Sequence, residues 1–295
     1  MSRTGFCRLL VTPAVVWLAA VGIGPLLFAL WAAVHRYSPD PSVPSEFCGA
    51  GNLTALLGDP QFRRSLAVTA LVAALAVPLE LAGGLAAALA LHRLSRARGL
   101  VLTALLVPAA VAPLVAGIAW WMLFNARFGP VNAVLEAVGL PAVEWTIRMP
   151  WALLAIVTAV VWQALPLAIV VLLGGLQSLP PSLVEAARLE GAGPWALFRH
   201  VTLPHLKPFL AAAGLLGLID VARLYEIPWY LTQGGPGHET VLTGIYLYKL
   251  AFSYGADTGR ASVLSLLLAG ALTAVSLVYV RLASGERRGK GAARA

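Results

Sequence analysis

Six apolar stretches, each long enough to cross a bilayer, constrain this chain more than any other feature of its sequence. A transmembrane helix needs about 20 consecutive, mainly apolar residues. Only 12% of the residues are charged, whereas about a quarter are charged in a soluble domain. The sequence therefore predicts an all-α, polytopic membrane protein with six transmembrane helices, at Leu9–Val34, Leu66–Leu91, Leu100–Phe124, Trp151–Leu176, Phe209–Tyr230 and Ala261–Leu282.

Several prolines lie inside these stretches, at positions that would break a soluble helix: Pro25, Pro78, Pro108, Pro113 and Pro166. In a membrane bundle, neighbouring helices and local kinks can satisfy the backbone groups that a proline frees. We therefore expect each stretch to remain a single span.

Lysine and arginine residues in the short loops predict the orientation, because cytoplasmic loops carry an excess of them. The side that holds both termini and the loop around Glu185 carries 13 of these residues, and the other side carries 7. We therefore expect both termini in the cytoplasm, with residues 283–295 as a basic tail. The net charge of +8 follows mostly from this asymmetry, so nucleic-acid binding is not needed to explain it.

A polar segment between the fourth and fifth stretches predicts a short helix–turn–helix. The residues Ser182–Glu185, which follow Pro180-Pro181, have the pattern of a capping box, so a helix should start there. Gly191 should stop this helix. A second short helix, Trp195–Val201, should then run until Pro204 ends it.

The same segment resembles the EAA loop of binding-protein-dependent ABC importer permeases. The resemblance rests on Glu185-Ala186-Ala187, on a glycine six positions after the glutamate, and on Leu203-Pro204. The family usually has Asp before the glycine, where this chain has Glu190. The alternative is that Glu185 only caps a surface helix.

This resemblance implies one domain, residues 1–295, with the type I permease fold of ABC importers. It implies that residues 177–208 form a cytoplasmic coupling loop, whose helix docks into a groove on an ATPase subunit. The residues that it assigns to coupling are Glu185, Ala186, Ala187, Arg188, Glu190, Gly191, Leu203 and Pro204.

The segment Leu231–Gly237 resembles the Leu-Thr-x-Gly-Gly-Pro segment of sugar-importer permeases, at the outer end of the fifth span. It is more narrowly similar to the subunit type related to the F component of maltose transporters. The outer-loop residues that it identifies are Gly234, Gly235 and Pro236. A generic Gly-Pro turn that caps a membrane helix is the alternative.

The resemblance also implies the partners. These are a second homologous permease subunit, two ABC ATPase subunits, an extracytoplasmic solute-binding protein, a sugar substrate and membrane lipid. No cofactor is expected on this chain, because it lacks a Gly-x-x-x-x-Gly-Lys-Ser/Thr phosphate loop. ATP and Mg would bind to the partner ATPase subunits. No His or Cys spacing predicts a metal site, and Cys7 and Cys48 are expected on opposite sides of the membrane.

The fifth stretch contains three charged residues at a spacing of three, Asp220, Arg223 and Glu226, which places them near one face of a helix. Charges at this depth pair with each other or face a water-filled path. We favour a structural pair for Asp220 and Arg223 and a position in the substrate path for Glu226. Glu80, in the second stretch, needs a partner on this chain or on another subunit.

The fourth stretch carries Trp162 and Gln163 near its middle, beside Pro166. An amide is costly to leave unpaired in hydrocarbon. Aromatic faces stack on the apolar faces of sugars, and amides bind hydroxyl groups. We therefore include Trp162, Gln163 and Tyr225 with Glu80, Asp220, Arg223 and Glu226 as candidate substrate-path residues.

Taken together, these features predict a non-enzymatic permease subunit of an ATP-driven importer in a bacterial inner membrane. The solute that they favour is a sugar. The alternatives are a permease for glycerol 3-phosphate, a polyol or an amino sugar, or a secondary transporter. A secondary transporter would show internal repeats, and none is evident between the two halves.

Overall fold

A computed structural model of the protein describes residues 3–40, 42–94, 96–253 and 256–292, with side chains described between residues 11 and 281. Apart from one short antiparallel pair, β1 (His35–Arg36) and β2 (Glu46–Phe47), the regular structure of these residues is helical. The helices are α1 (Arg3–Ala33), α2 (Gly51–Gly58), α3 (Pro60–Arg93), α4 (Arg98–Ala110), α5 (Pro113–Leu123), α6 (Pro130–Ala137), α7 (Trp151–Gln177), α8 (Pro181–Leu189), α9 (Pro194–Leu197), α10 (Leu203–Ala222), α11 (Glu226–Thr232), α12 (Thr243–Phe252) and α13 (Thr258–Ala292), with a π-helical turn at Phe198–Thr202 between α9 and α10.

Within the described residues, five helical segments are long and apolar enough to cross a membrane: Val11–Ala33, Pro60–Arg93, Trp151–Gln177, Pro194–Ala222 and Thr258–Arg281. The bent pair α4 and α5 supplies a sixth candidate. The expectation of an all-α, polytopic protein with six spans is thus confirmed, with α4 and α5 counted as one span. The side chains of the expected basic tail, residues 283–295, lie outside the described part of the chain.

The third span, expected over Leu100–Phe124, consists of two helices rather than one. α4 and α5 differ in direction by 95°, because Val111 and Ala112 between them have extended ψ angles of 127° and 136°. Pro113 has no backbone N–H and disfavours a helical conformation in the residue before it. A new helix therefore starts at Pro113.

The fifth span lies at Pro194–Ala222, so the expected limits of Phe209–Tyr230 were wrong. α10 ends at Ala222 and α11 begins at Glu226. Pro228, in the first turn of α11, explains the position of the break. Its ring would clash with the carbonyl group four residues earlier, at Leu224, if one helix ran through both.

The chain divides into two compact units, one from residues 1–63 and 246–271 and the other from residues 64–245 and 272–295. The expectation of a single permease domain stays a prediction. In the first unit, Asn52 donates hydrogen bonds to the carbonyl groups of Ala33 and His35 at 2.9 and 2.8 Å and so holds the end of α1. Tyr246 donates a hydrogen bond of 2.6 Å to the carboxylate of Asp59.

In the second unit, α7 is the best-packed span. Half of its apolar window is buried, against 28% for Pro194–Ala222. The first half of α7 packs with residues of α3, α5, α10 and α11, and its second half packs with α3 and the start of α10. Small residues permit this close approach. A methyl group added at Gly84 of α3 would lie 2.8 Å from the Cβ of Ala168 of α7.

Candidate functional site

The two helix breaks of the second unit border one cavity of about 520 Å³, which we call the break cavity. This volume is in the range of sites that hold small molecules. Its walls come from the end of α4, the start of α5, the middle of α7 and the break between α10 and α11. The lining residues are Ala109, Pro113, Val160, Gln163, Ala164, Leu167, Asp220, Arg223, Leu224, Glu226 and Ile227.

Gln163 of α7 holds the break between α4 and α5. Its Nε2 donates hydrogen bonds to the carbonyl oxygens of Pro108 at 3.1 Å and Val111 at 2.8 Å. These carbonyl groups lie where the helix ladder stops, so the amide satisfies groups that hydrocarbon could not. Within the described residues, the Oε1 of Gln163 is the buried side-chain atom that has no hydrogen-bond partner. It is a buried acceptor without a donor, in a residue that also lines the cavity.

Asp220 and Arg223 form the expected ion pair, with 2.6 Å between Arg223 Nη2 and Asp220 Oδ1. Their side chains are 41% and 71% exposed within this chain. The expectation of three charges along one helix face was wrong, however, since α10 ends at Ala222. Glu226 instead opens α11, where a carboxylate is favoured by the helix dipole. Because of the break, the three charged residues line a cavity instead of lying in one row along a helix.

The other candidate path residues do not line this cavity. Glu80 is 3% exposed in α3, and its Oε2 would be 2.7 Å from a methyl group added at Gly217 of α10. Trp162 contacts Trp120 edge to face, with 5.8 Å between the ring centroids. Tyr225 stacks on Trp229 at 5.7 Å. None of Glu80, Trp162 and Tyr225 lines the break cavity.

The Gly-Gly-Pro loop that follows α11 is closed by its own hydrogen bonds. Thr240 donates to the carbonyl oxygen of Gly235 at 2.5 Å, and its hydroxyl lies 2.8 Å from that of Thr232. Gly234 has a φ of +84°, a conformation that favours glycine. Pro236 follows directly. The role of this outer loop in transport stays a prediction.

The segment predicted to couple to an ATPase forms a helix, a turn and a second helix. α8 ends in a Schellman motif, in which Ala192 N donates to Ala187 O and Gly191 N donates to Arg188 O, both at 3.0 Å. Gly191 has a φ of +85°, so the prediction that it stops the helix is confirmed.

Two details of this segment differ from expectation. The capping box was wrong, because α8 starts at Pro181 and no side chain caps its first turn. Pro204 does not end the second helix either. The chain widens into the π-helical turn, where Leu203 N bonds to Phe198 O, and Leu203 and Pro204 then begin α10. This wider turn lets the chain continue into α10 although Pro204 has no backbone N–H to donate.

Most of the predicted coupling residues are exposed, namely Glu185, Ala186, Arg188, Glu190, Gly191 and Pro204. Two large apolar side chains that the sequence reasoning missed are exposed beside them. Leu189 is 90% exposed and Trp195 is 69% exposed. An apolar residue in a short polar helix was the signal that could have identified them, because such residues are enriched where proteins meet. In the described residues, no three His, Cys, Asp or Glu side chains are grouped so that they could hold a metal ion.

Comparison with known proteins identifies the family. Residues 81–288 match the binding-protein-dependent transport system inner membrane component family. The chain is 34% identical over 282 residues to the trehalose/maltose transport system permease protein MalF of Thermococcus litoralis, covering 95% of this chain and 94% of that protein. It is 31% identical over 274 residues to the sulfoquinovosyl glycerol transport system permease protein SmoG of Agrobacterium fabrum, covering 93% and 89%.

A solved structure has the same fold. A bacterial ABC transporter chain involved in the import of the acidic polysaccharide alginate gives a TM-score of 0.81 over 95% of each chain, at 19% identity. The protein therefore belongs to the family of inner membrane components of binding-protein-dependent transport systems, the permease subunits of ABC importers. This confirms the family that the Glu185 segment predicted.

Proposed function

We propose that this permease moves a carbohydrate across the bacterial inner membrane, and that the break cavity is part of its path. The observation that carries this proposal is its likeness, over at least 93% of the chain, to permeases whose names specify trehalose, maltose and a glycoside. The cavity supports it, because Gln163, Asp220, Arg223 and Glu226 present polar groups on a mainly apolar wall. Sites for small solutes commonly combine these features.

The import cycle requires partners. We propose that the chain pairs with a second, homologous permease subunit, with two ATPase subunits that bind ATP and Mg, and with an extracytoplasmic solute-binding protein. Closure of the ATPases would move α8 as a rigid body, and the spans would alternate between outward-open and inward-open states. Leu189 and Trp195 would supply apolar contacts to the ATPase, and Arg188 and Glu190 would supply charged ones.

The orientation places both termini and the Glu185 segment in the cytoplasm, as the Lys and Arg asymmetry favours. An impermeant thiol reagent added to intact cells should then label Cys48 and leave Cys7 unlabelled. The opposite pattern would remove α8 from the side where an ATPase could reach it.

Uptake by the reconstituted complex tests the main proposal. The complex should accumulate a radiolabelled sugar in proteoliposomes only when ATP and the solute-binding protein are supplied. Mass spectrometry of solute that co-purifies with the complex would identify it. Uptake without ATP hydrolysis would instead support a secondary transporter, and co-purification of glycerol 3-phosphate alone would overturn the sugar assignment.

The coupling role of α8 has its own test. Glu185→Lys reverses the charge of an exposed residue, and Gly191→Trp puts a bulky side chain at a φ of +85°. Both variants should assemble and lose uptake together with solute-stimulated ATPase activity. Glu136→Lys, at an exposed position on α6, is the matched control and should keep both activities. Normal uptake by both loop variants would refute the coupling role.

A further inference from the structure

The charges that line the break cavity do not cancel. They are Asp220, Arg223 and Glu226. Arg223 is committed to Asp220 through the 2.6 Å contact, so these two charges neutralise each other. Glu226 forms no ion pair with another described residue. The ionised lining therefore carries a net charge of −1.

A further carboxyl group lies behind the same wall. Glu80 of α3 is buried against Gly217, one helical turn before Asp220 in α10. Arg223 is the one Lys or Arg among the described residues that line the cavity. The lining therefore adds no second positive charge that would offset Glu226.

Both Arg223 and Glu226 retain hydrogen-bonding capacity in the cavity, because the contact to Asp220 occupies only part of the five N–H donors of Arg223. The amide of Gln163 offers little to a solute, because its Nε2 already donates to two carbonyl groups and its Oε1 is buried. The carboxylate of Glu226 accepts hydrogen bonds and donates none. A solute group that lies beside Glu226 must present donors, which hydroxyl and ammonium groups provide. A carboxylate, phosphate or sulfonate provides only acceptors and adds a like charge.

We propose that the break cavity selects sugars that carry no negative charge, either neutral sugars or amino sugars, and discriminates against sugar acids, sugar phosphates and sulfonated sugars. Glu226 is the residue that sets this preference, because its charge is the uncompensated one of the lining. The inference rests on the proposed function, because it concerns the solute of the same site. It favours a solute like those named for the trehalose/maltose permease over the sulfonated one named for SmoG.

Three monosaccharides that share one ring test the charge preference. Binding of glucose, glucosamine and glucuronate to the assembled transporter in nanodiscs would be titrated by saturation-transfer NMR, without the solute-binding protein, so that its own selectivity does not contribute. Glucuronate should bind about tenfold more weakly than glucose, or worse, because a like charge is uncompensated. Glucosamine should bind at least as well as glucose.

Substitution then assigns the preference to a residue. Glu226→Gln removes the uncompensated charge and should bring glucuronate close to glucose, while Glu136→Gln on α6 should leave the order of the three sugars unchanged. Equal or tighter binding of glucuronate by the wild type, lost in Arg223→Gln, would overturn the inference and make Arg223 an anion receptor. If none of the three sugars binds to a complex that still hydrolyses ATP, the proposed sugar site itself is refuted.

Discussion

The continuous helix α7 and the pair α10 and α11 pack against each other. They differ at their prolines, because α7 continues through one and α10 and α11 are separated close to one. α7 runs unbroken for 27 residues through the buried Pro166. The other span breaks four residues before Pro228. Apolar neighbours surround α7 on several sides, whereas the break lies beside charged side chains and open volume. A span therefore breaks where polar groups and space can accommodate the released backbone, and proline alone does not decide it.

The break between α4 and α5 follows the same rule. There the released carbonyl groups are bound by Gln163, which comes from the continuous helix. α7 thus supplies a continuous wall, and the two helix breaks supply the rest of the cavity lining. This contrast predicts that changes to the packing of α7 should affect folding most, and that changes at the breaks should affect transport most.

The largest effect is expected from Gly175→Leu in α7. A methyl group at Gly175 would already lie 2.7 Å from the ring of Phe209, whereas nothing lies within 4 Å of one at Gly174. Overpacking of this kind costs about 3 kcal/mol. Gly175→Leu should therefore lower the melting temperature and the yield of the complex, and Gly174→Leu, its neighbour, should not. Equal stability of the two variants would show that α7 is not the tightly packed wall.

A pair of proline substitutions tests the contrast between the spans directly. Pro228→Ala restores an N–H that can bond to Leu224, so α10 and α11 can join and the wall of the cavity changes. Uptake should fall severalfold, and a thiol at Leu224→Cys should become less accessible to reagents. Pro166→Ala should preserve uptake, because α7 is already continuous. Similar results for both prolines would remove the distinction between the two spans.

A smaller loss of stability is expected from Gln163→Leu. Two hydrogen bonds to the break between α4 and α5 disappear, at a cost of about 1 to 2 kcal/mol in all. Thermal unfolding of the purified complex would measure this. Gln177→Leu, at the exposed end of the same helix, provides the control and should be nearly neutral. A neutral Gln163→Leu would mean that other groups hold the break.

The apolar run of α7 was sufficient to predict its limits to within one residue, because the stretch from Trp151 to Leu176 carries no charged residue and is almost entirely apolar. The third span could not be predicted in this way. Pro113 is visible in the sequence, but the amide that satisfies the freed carbonyl groups comes from Gln163, in another span. Whether a proline kinks or breaks a span depends on such distant contacts, which local patterns do not contain.

In the candidate site, too, some features could be predicted from the sequence and others could not. The Glu185 motif and the stop at Gly191 are local, and they were predicted from the sequence. The grouping of Gln163 with Glu226 needed the folded chain, because it follows from two separate helix breaks. The aromatic ring of Trp162 was assigned to the path from its position in the span. It instead contacts Trp120, a partner that no local pattern indicates.

The smallest effect on stability is expected at the ion pair of the break itself. The sequence favoured a structural role for Asp220 and Arg223, so that loss of either residue would reduce expression. Both side chains are substantially exposed, however, and exposed pairs contribute about 0 to 1 kcal/mol. Asp220→Asn and Arg223→Gln should each fold and assemble, with a coupling energy below about 1 kcal/mol in a double-mutant cycle on thermal unfolding. Their uptake should change, because both groups line the break cavity. Failure of both single variants to assemble, with recovery in the double variant, would restore the structural role and make the break a packed element like α7.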